Sequence, residues 1–428
     1  MQLKDKHKKI RRSLTAATCS LLGISTTDTP AEEGDWEFDS AVLYYSEVDR
    51  VSAIEPVITA KRAFSDEKSL NLKLVFDALT GASANGATPS DQPQTFTKPS
   101  GEGSYTASAN ETPLDDTFKD FRVAFSSQWD QPLNRDYKAS LGGNFSTEYD
   151  YLSLSVNGSL SRDFNKRNTT LSVGISLAHD TISPDGDLPV GFSSMVIDTG
   201  QAGFEDDFDA TREGSEDTKT TLDLIFGLTQ VIDQHTVMQL SYSISDSSGY
   251  LTDPFKILSV VGSDGRPVDY RYEKRPDSHN KQGLYWQTKH HFSEDILDIS
   301  YRFFWDDWDI TSHTLDLRYR WMLGGQQYLE PHFRYYSQSE ADFYRRFLVD
   351  GDALPDYASA DYRLGELTGI TLGLKYGFKL ANEQELSMRL EYYLQSGDSP
   401  DGNAPGILSD MELFPDVEAI ILQFNYAF

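Results

Sequence analysis

The chain has 428 residues, 67 acidic against 38 basic, with a formal net charge of -29 and a mean hydropathy of -0.49. Acidity of this degree excludes a nucleic-acid partner bound by neutralising phosphates, and no run approaches the roughly eighteen apolar residues that a spanning helix requires. A transmembrane β-barrel stays open, because its strands show lipid only at alternate residues and disappear in a hydropathy average.

The N-terminus reads as an address. Lys4, Lys6, Lys8, Lys9, Arg11 and Arg12 precede a short uncharged run from Ser13 to Ser25, and Asp28, Glu32 and Glu33 open an acidic stretch. That is a secretory layout, and a basic tail is the alternative because Thr15, Thr18 and Ser20 interrupt the run. Cys19, the single cysteine, falls inside this segment, so the exported chain would hold no disulfide and no thiolate ligand. Lipidation at Cys19 is disfavoured, since Thr18 before it is larger than the usual small residue. Removing residues 1–25 leaves 32 basic against 66 acidic residues, a strongly acidic mature protein. The expected organisation is a cleaved signal over 1–27, a short periplasmic segment over 28–35 and one barrel over 36–428.

From Trp36 onward, apolar residues alternate with small or polar ones at the period of a two-faced strand. Leu70, Leu72, Leu74 and Phe76 share one face, as do Leu152, Leu154 and Val156, and Leu171, Val173, Ile175 and Leu177. Sixteen strands are predicted near 37–46, 53–64, 68–79, 118–129, 137–148, 151–162, 168–179, 218–229, 236–246, 282–293, 296–305, 311–323, 327–338, 367–379, 385–396 and 416–428. Alternation alone fits a soluble sandwich equally well; the connections discriminate. Every even-numbered connection is short, such as Pro132–Asp136 and Asn165–Arg167, and the long ones (80–117, 180–217, 247–281, 339–366, 397–415) are all odd-numbered. Short periplasmic turns alternating with long outer loops predict an all-β, antiparallel up-and-down transmembrane barrel in a Gram-negative outer membrane.

Ile420, Leu422, Phe424, Tyr426 and Phe428 alternate to a terminal aromatic, as in the recognition strand of barrels handed to the barrel-assembly machinery. Tyr44, Tyr45, Tyr149, Tyr151, Trp305, Trp308, Trp321, Tyr335 and Tyr392 lie near strand ends, where interfacial girdles would place them.

Five stretches, Ala41–Glu47 (AVLYYSE), Leu79–Pro89 (LTGASANGATP), Glu148–Tyr151 (EYDY), Phe164–Thr170 (FNKRNTT) and Gly249–Lys256 (GYLTDPFK), resemble a proteobacterial family known as domain of unknown function 3570. The resemblance covers nearly all of the mature chain. It implies an outer-membrane-type barrel, no established activity and no catalytic residues.

The chemistry-bearing residues concentrate on the expected inward faces of strands eleven to thirteen and fifteen: Asp298, Arg302 and Asp306; Asp316, Arg318 and Arg320; Glu330, His332 and Arg334; Arg389 and Glu391. Both signs on neighbouring strands set up a transverse field suited to passing small hydrophilic solutes. The alternative is a paired network that fills and rigidifies a closed barrel. Glu205, Asp206, Asp207, Asp209, Glu213, Glu216 and Asp217 crowd one outer loop together with Asp185 and Asp187, and Asp398 and Asp401 lie in another. Their spacing lacks a calcium-loop frame, so divalent cations bridging to lipopolysaccharide are the partners expected there, and no metal site is assigned. His290 and His291 point to opposite strand faces and cannot chelate one ion. His279 and His313 lack a nucleophile in reach by sequence, so no enzyme activity and no cofactor are expected. The expected function is porin-like passage or selective uptake of a small hydrophilic solute. A structural or scaffolding barrel with a filled lumen, holding a partner on its loops or turns, is the alternative.

Overall fold

The structure is a computed structural model and describes residues 36–65, 67–380, 384–397, 404–414 and 416–428. The expected signal, the segment 28–35, and Asp398 and Asp401 lie outside the described residues.

Sixteen strands close into one barrel in chain order: β1 (Trp36–Glu47), β2 (Val51–Ser65), β3 (Lys68–Ala84), β4 (Leu114–Pro132), β5 (Tyr137–Thr147), β6 (Tyr151–Phe164), β7 (Thr169–Ile182), β8 (Asp217–Val231), β9 (Thr236–Gly249), β10 (Ser278–His291), β11 (Ile296–Asp306), β12 (Thr311–Gly324), β13 (Gln327–Gln338), β14 (Leu367–Lys379), β15 (Glu385–Gly397) and β16 (Val417–Ala427). Neighbours pair antiparallel throughout, and β16 closes on β1 with Asp39 opposite Ala427 and Glu47 opposite Ala419. Phe38 and Phe428 exchange two backbone hydrogen bonds of 2.9 Å at the end of that seam.

The predicted alternation sorts the two faces. Val156 is 63% exposed, Leu372 56% and Phe424 53%, and each heads a row of outward apolar neighbours. A continuous belt of this kind far exceeds the few hundred Å² of contiguous apolar surface that a water-soluble monomer tolerates, so its solvent is lipid. Tyr44, Trp321, Tyr335 and Tyr392 stand exposed on this outward face. Three of the expected girdle residues do not: Tyr45 faces inward and donates to Glu47 at 2.7 Å, Tyr151 faces inward and accepts from Lys219 at 2.9 Å, and Trp308 is buried among loop residues. For Tyr45 and Tyr151 the strand parity decides, and for Trp308 the packing of a neighbouring loop.

The short turns use side-chain capping. Asn134 accepts from the backbone of Asp136 and Tyr137, and Asp233 accepts from His235, so each closes a turn with its own carbonyl-mimicking oxygen. In the β12–β13 turn, Gly324, Gly325 and Gln326 run through three successive left-handed residues.

The barrel wall is two-sided, so the most thoroughly buried side chains lie elsewhere, in the long loops. Ile257–Val261, Pro267–Tyr272 and Leu348–Val349 form a three-stranded sheet, and Gln94–Thr97 pairs with Ser104–Ala107. Three apolar clusters join these loops: one around Phe96, Ile257 and Tyr272, one around Leu258, Val260 and Leu348, and one around Trp308, Phe343 and Leu364. Phe304, an inward residue near the end of β11, packs against the last. The loops therefore fold into a cap with its own core across the long-loop mouth. The sequence pattern shows these segments only as loops, because strands of two to six residues carry no usable period.

Candidate functional site

Cross-strand register places the charged candidates together. Asp298 lies opposite Lys289 on one side and Arg318 on the other, Asp316 opposite Arg334, and Arg318 opposite His332. All of them share the inward face, because Leu297, Ile299, Leu315 and Leu317 between them belong to the outward belt.

The signs pair along the wall. Lys289 meets Asp298 at 3.2 Å, and Gln287 donates to the same carboxylate at 2.8 Å. Arg320 meets Glu330 at 2.7 Å, Arg318 meets Asp316 at 3.4 Å, and Arg389 meets Glu391 at 3.6 Å while also donating to Gln423. His332 bridges two strands, with Nε2 3.0 Å from Asp316 and Nδ1 2.7 Å from Glu391. Glu391 stands on β15 and His332 on β13, so this contact passes over β14.

Strand β14 makes that reach possible. Its inward positions include Gly369, Gly373 and Gly377, and a Cβ at Gly373 would lie 2.7 Å from the Glu391 Cγ. At Gly377 a Cβ would lie 2.2 Å from the Tyr328 ring, whose hydroxyl donates to Glu385 at 2.6 Å, again from β13 to β15. Adjacent strands are about 4.8 Å apart, so a bridge over one strand spans roughly twice that. Side chains cover it only where the strand between is bare.

Arg302 and Arg334 differ from the rest. Both are inward and exposed, and among the described residues neither has an ion pair; Arg302 lies 5.6 Å from the Phe304 ring. Asp306 also points inward, but its side chain is 1% exposed beneath the cap. There it accepts from the backbone of Trp308 and Ile310 and meets His279 at 2.8 Å, so it holds a turn and does not line an open lumen. His279 in turn stacks on Trp308 at 3.7 Å.

Across from this charged wall, strands β5 to β9 present Ser140, Asn144, Ser153, Ser155, Asn157, Ser241 and Ser243 inward, small polar groups with few charges. Each of the wall contacts named above stays within one or two strands, and none crosses the lumen. His290 bonds Thr236 on the outward face and His291 takes the opposite face. Glu205, Asp206, Asp207 and Asp209 sit on a six-residue helix, Phe204–Asp209, and Glu213, Glu216 and Asp217 follow it toward β8. Among the described residues no group of three acidic, His or Cys side chains is arranged to hold a metal ion.

The cap carries a second charged cluster. Arg275 donates to Glu273 at 3.2 Å and to Asp361 at 2.9 Å, and Arg363 holds Asp361 at 2.6 Å and Asp253 at 2.9 Å. Ser359 donates to Glu273, and Asp361 accepts from Arg363 through its backbone N–H at 3.1 Å. Burial pushes the Glu273 carboxyl up, and Arg275 and Ser359 offset only part of that. Burial pushes Asp361 up too, but the hydrogen bonds and charge of Arg363, with Arg275 behind, hold it well below the usual carboxylate range. The two loops 250–277 and 339–366 are locked together by this cluster.

A closed sixteen-strand wall with a lipid-facing belt and a polar, charged interior defines a transmembrane β-barrel of the outer-membrane type. The chain belongs to the family described as "Protein of unknown function (DUF3570)", whose model matches residues 11–428. No curated protein matches it. Among solved structures it is similar to a bacterial polysaccharide outer membrane secretin (8% identity, TM-score 0.43, covering 93% of this chain and 100% of that one). It is also similar to the siderophore receptor PirA from Acinetobacter baumannii (9% identity, TM-score 0.41, 91% and 58%) and to CdiB from the same organism (9%, 0.44, 92% and 60%). The chain thus spans about three fifths of the length of the last two.

Proposed function

We propose that this protein is exported through its N-terminal signal to the outer membrane of a Gram-negative cell and passes, or selectively takes up, a small hydrophilic solute. The observation that carries the reading is the pair Arg302 and Arg334, inward, exposed and without ion pairs among the described residues. A guanidinium in that position must be hydrated, since burying an unpaired charge is prohibitive, and a sixteen-strand barrel has the girth for an aqueous lumen. Lipid and lipopolysaccharide surround the outward belt. The assembly machinery receives β16, and divalent cations bridge the acidic loop over 205–217 to lipopolysaccharide. No catalytic step and no cofactor belong to the reading.

The test is single-channel conductance of the refolded protein in a planar bilayer, with Arg302→Ala and Arg334→Ala combined. Steady openings whose reversal potential moves toward cations in the double variant are expected, because two positive charges leave the solvated wall. Silence from a heat-modifiable barrel would sink the passage reading. The cap favours the second reading in that event: a scaffolding barrel whose outer loops, already folded around a core of their own, hold a partner.

A further inference from the structure

Where the cap meets the barrel rim, a recess of about 540 Å³, counting the solvent it opens to, lies between the β1–β2 connection and four outer loops. Its lining has a sign opposite to the protein's. Three cations, Arg50, Lys256 and Arg346, line it with one carboxylate, Asp361, which Arg275 and Arg363 already engage. In a chain of net charge -29, a concave site with three cations is a local inversion of the field.

Two of its polar groups are buried with bonding capacity unused. Lys256 is 6% exposed, and its ammonium donates to the carbonyl oxygen of Ala84, with no ion pair among the described residues. Thr88 is 4% exposed, and its hydroxyl has no hydrogen-bond partner among the described residues, although its backbone N–H is held by Ser259 at 3.0 Å. Arg50 contributes a guanidinium 5.7 Å from the Tyr362 ring, again without an ion pair among the described residues. The neighbouring Glu47 carboxylate is engaged by the Tyr45 hydroxyl at 2.7 Å. Buried donors without acceptors destabilise a fold. Three residues that line one recess thus bring an ammonium, a guanidinium and a hydroxyl to it, the donor types that suit the acceptor oxygens of an oxyanion.

We propose that this recess binds a small soluble oxyanion, a phosphate or carboxylate group, through Lys256, Arg50 and the Thr88 hydroxyl. The site deepens the passage reading by naming anionic solutes as the class selected at the mouth, but its geometry belongs to the cap and its binding test needs no conduction.

The experiment is isothermal titration of the refolded protein, in a non-ionic detergent free of phosphate, with inorganic phosphate and separately with succinate. Wild type, Thr88→Val and Lys256→Gln are compared. Saturable one-to-one binding of either probe is expected. Thr88→Val should weaken it about tenfold, the size of one lost hydrogen bond to a charged acceptor, while leaving the cap as stable as before or more so, since the orphan hydroxyl is gone. Lys256→Gln should weaken it further. Absence of binding in a protein whose barrel is heat-modifiable and whose loops resist protease overturns the proposal, as does binding that both variants leave unchanged. Lipid A that displaces phosphate one for one would assign the site to a lipid headgroup and overturn the soluble ligand. Binding without conductance would remove the passage reading and leave the site standing.

Discussion

At the residue scale, the bare face of β14 organises the charged wall. The sequence shows Gly369, Gly373 and Gly377 as interruptions in a strand pattern, and glycine inside a strand usually weakens it. Here Gly373 and Gly377 each leave out a side chain that would block contact between β13 and β15. The alternating signs of Asp316, Arg318, Glu330, His332 and Glu391 were legible from parity alone. The His332–Glu391 and Tyr328–Glu385 bridges were not, because contacts across an intervening strand have no local pattern. Gly377→Ala is expected to displace the Tyr328 ring and lower barrel stability by about 1–3 kcal/mol, the usual range for forcing a methyl into filled space. Gly143→Ala, whose Cβ meets nothing nearer than 3.5 Å, should change it by less than about 0.5 kcal/mol. The urea midpoint of the heat-modifiable gel band measures both.

At the element scale, the cap is the part that the sequence pattern shows least. One signal did exist: Ile257–Val261 is an almost wholly apolar run inside a connection of about 30 residues, and connections of that length seldom lack structure of their own. The run forms the centre of the cap sheet and is buried along its whole length. The ion cluster beside it makes the cap sensitive to acid in two directions. Asp361 is held below its usual 3.8, so its contribution is fully present above that value and is lost progressively as pH falls from there through the lowered one. Glu273 is held above 4.5, so its contribution has the opposite sign, and stability drops as pH rises from 4.5 toward its raised value. Hydrogen exchange at Ile257–Val261, corrected for the intrinsic rate, should therefore accelerate below pH 3.8 in the wild type, and Asp361→Asn should flatten that limb. Arg275→Met would leave Glu273 without its cation, and Asp361 with Arg363 alone, in a buried site. A loss of about 3–5 kcal/mol in cap protection at neutral pH is expected, measured by the same exchange.

At the scale of the whole molecule, strand number, order and the alternation of short and long connections were all legible. Predicted and observed strand ends differ by a few residues; β10 begins early, at Ser278, and the meeting ends of β3 and β4 reach Ala84 and Leu114. Those two strands extend beyond their apolar pattern because they pair with each other above the belt, where no lipid enforces alternation. Shortening the 339–366 loop to a tight turn removes Phe343, Leu348 and Leu364 from the cap core, and the conductance of the barrel should rise, with the folded gel band retained. Unchanged conductance would mean that the cap does not obstruct the path.

The cap also dictates an order of events. Its sheet joins Ile257–Val261 to Leu348–Val349, and its other clusters bring Phe96 against Tyr270, segments far apart in the chain with four to six barrel strands between them. Closing such loops before the intervening strands are laid down carries a large entropic penalty. The wall must then form first and the lid last, so a newly inserted barrel passes through an uncapped stage. During that stage its mouth is uncovered and its loops are open to proteases, so a population caught early would be cleaved where the finished protein resists.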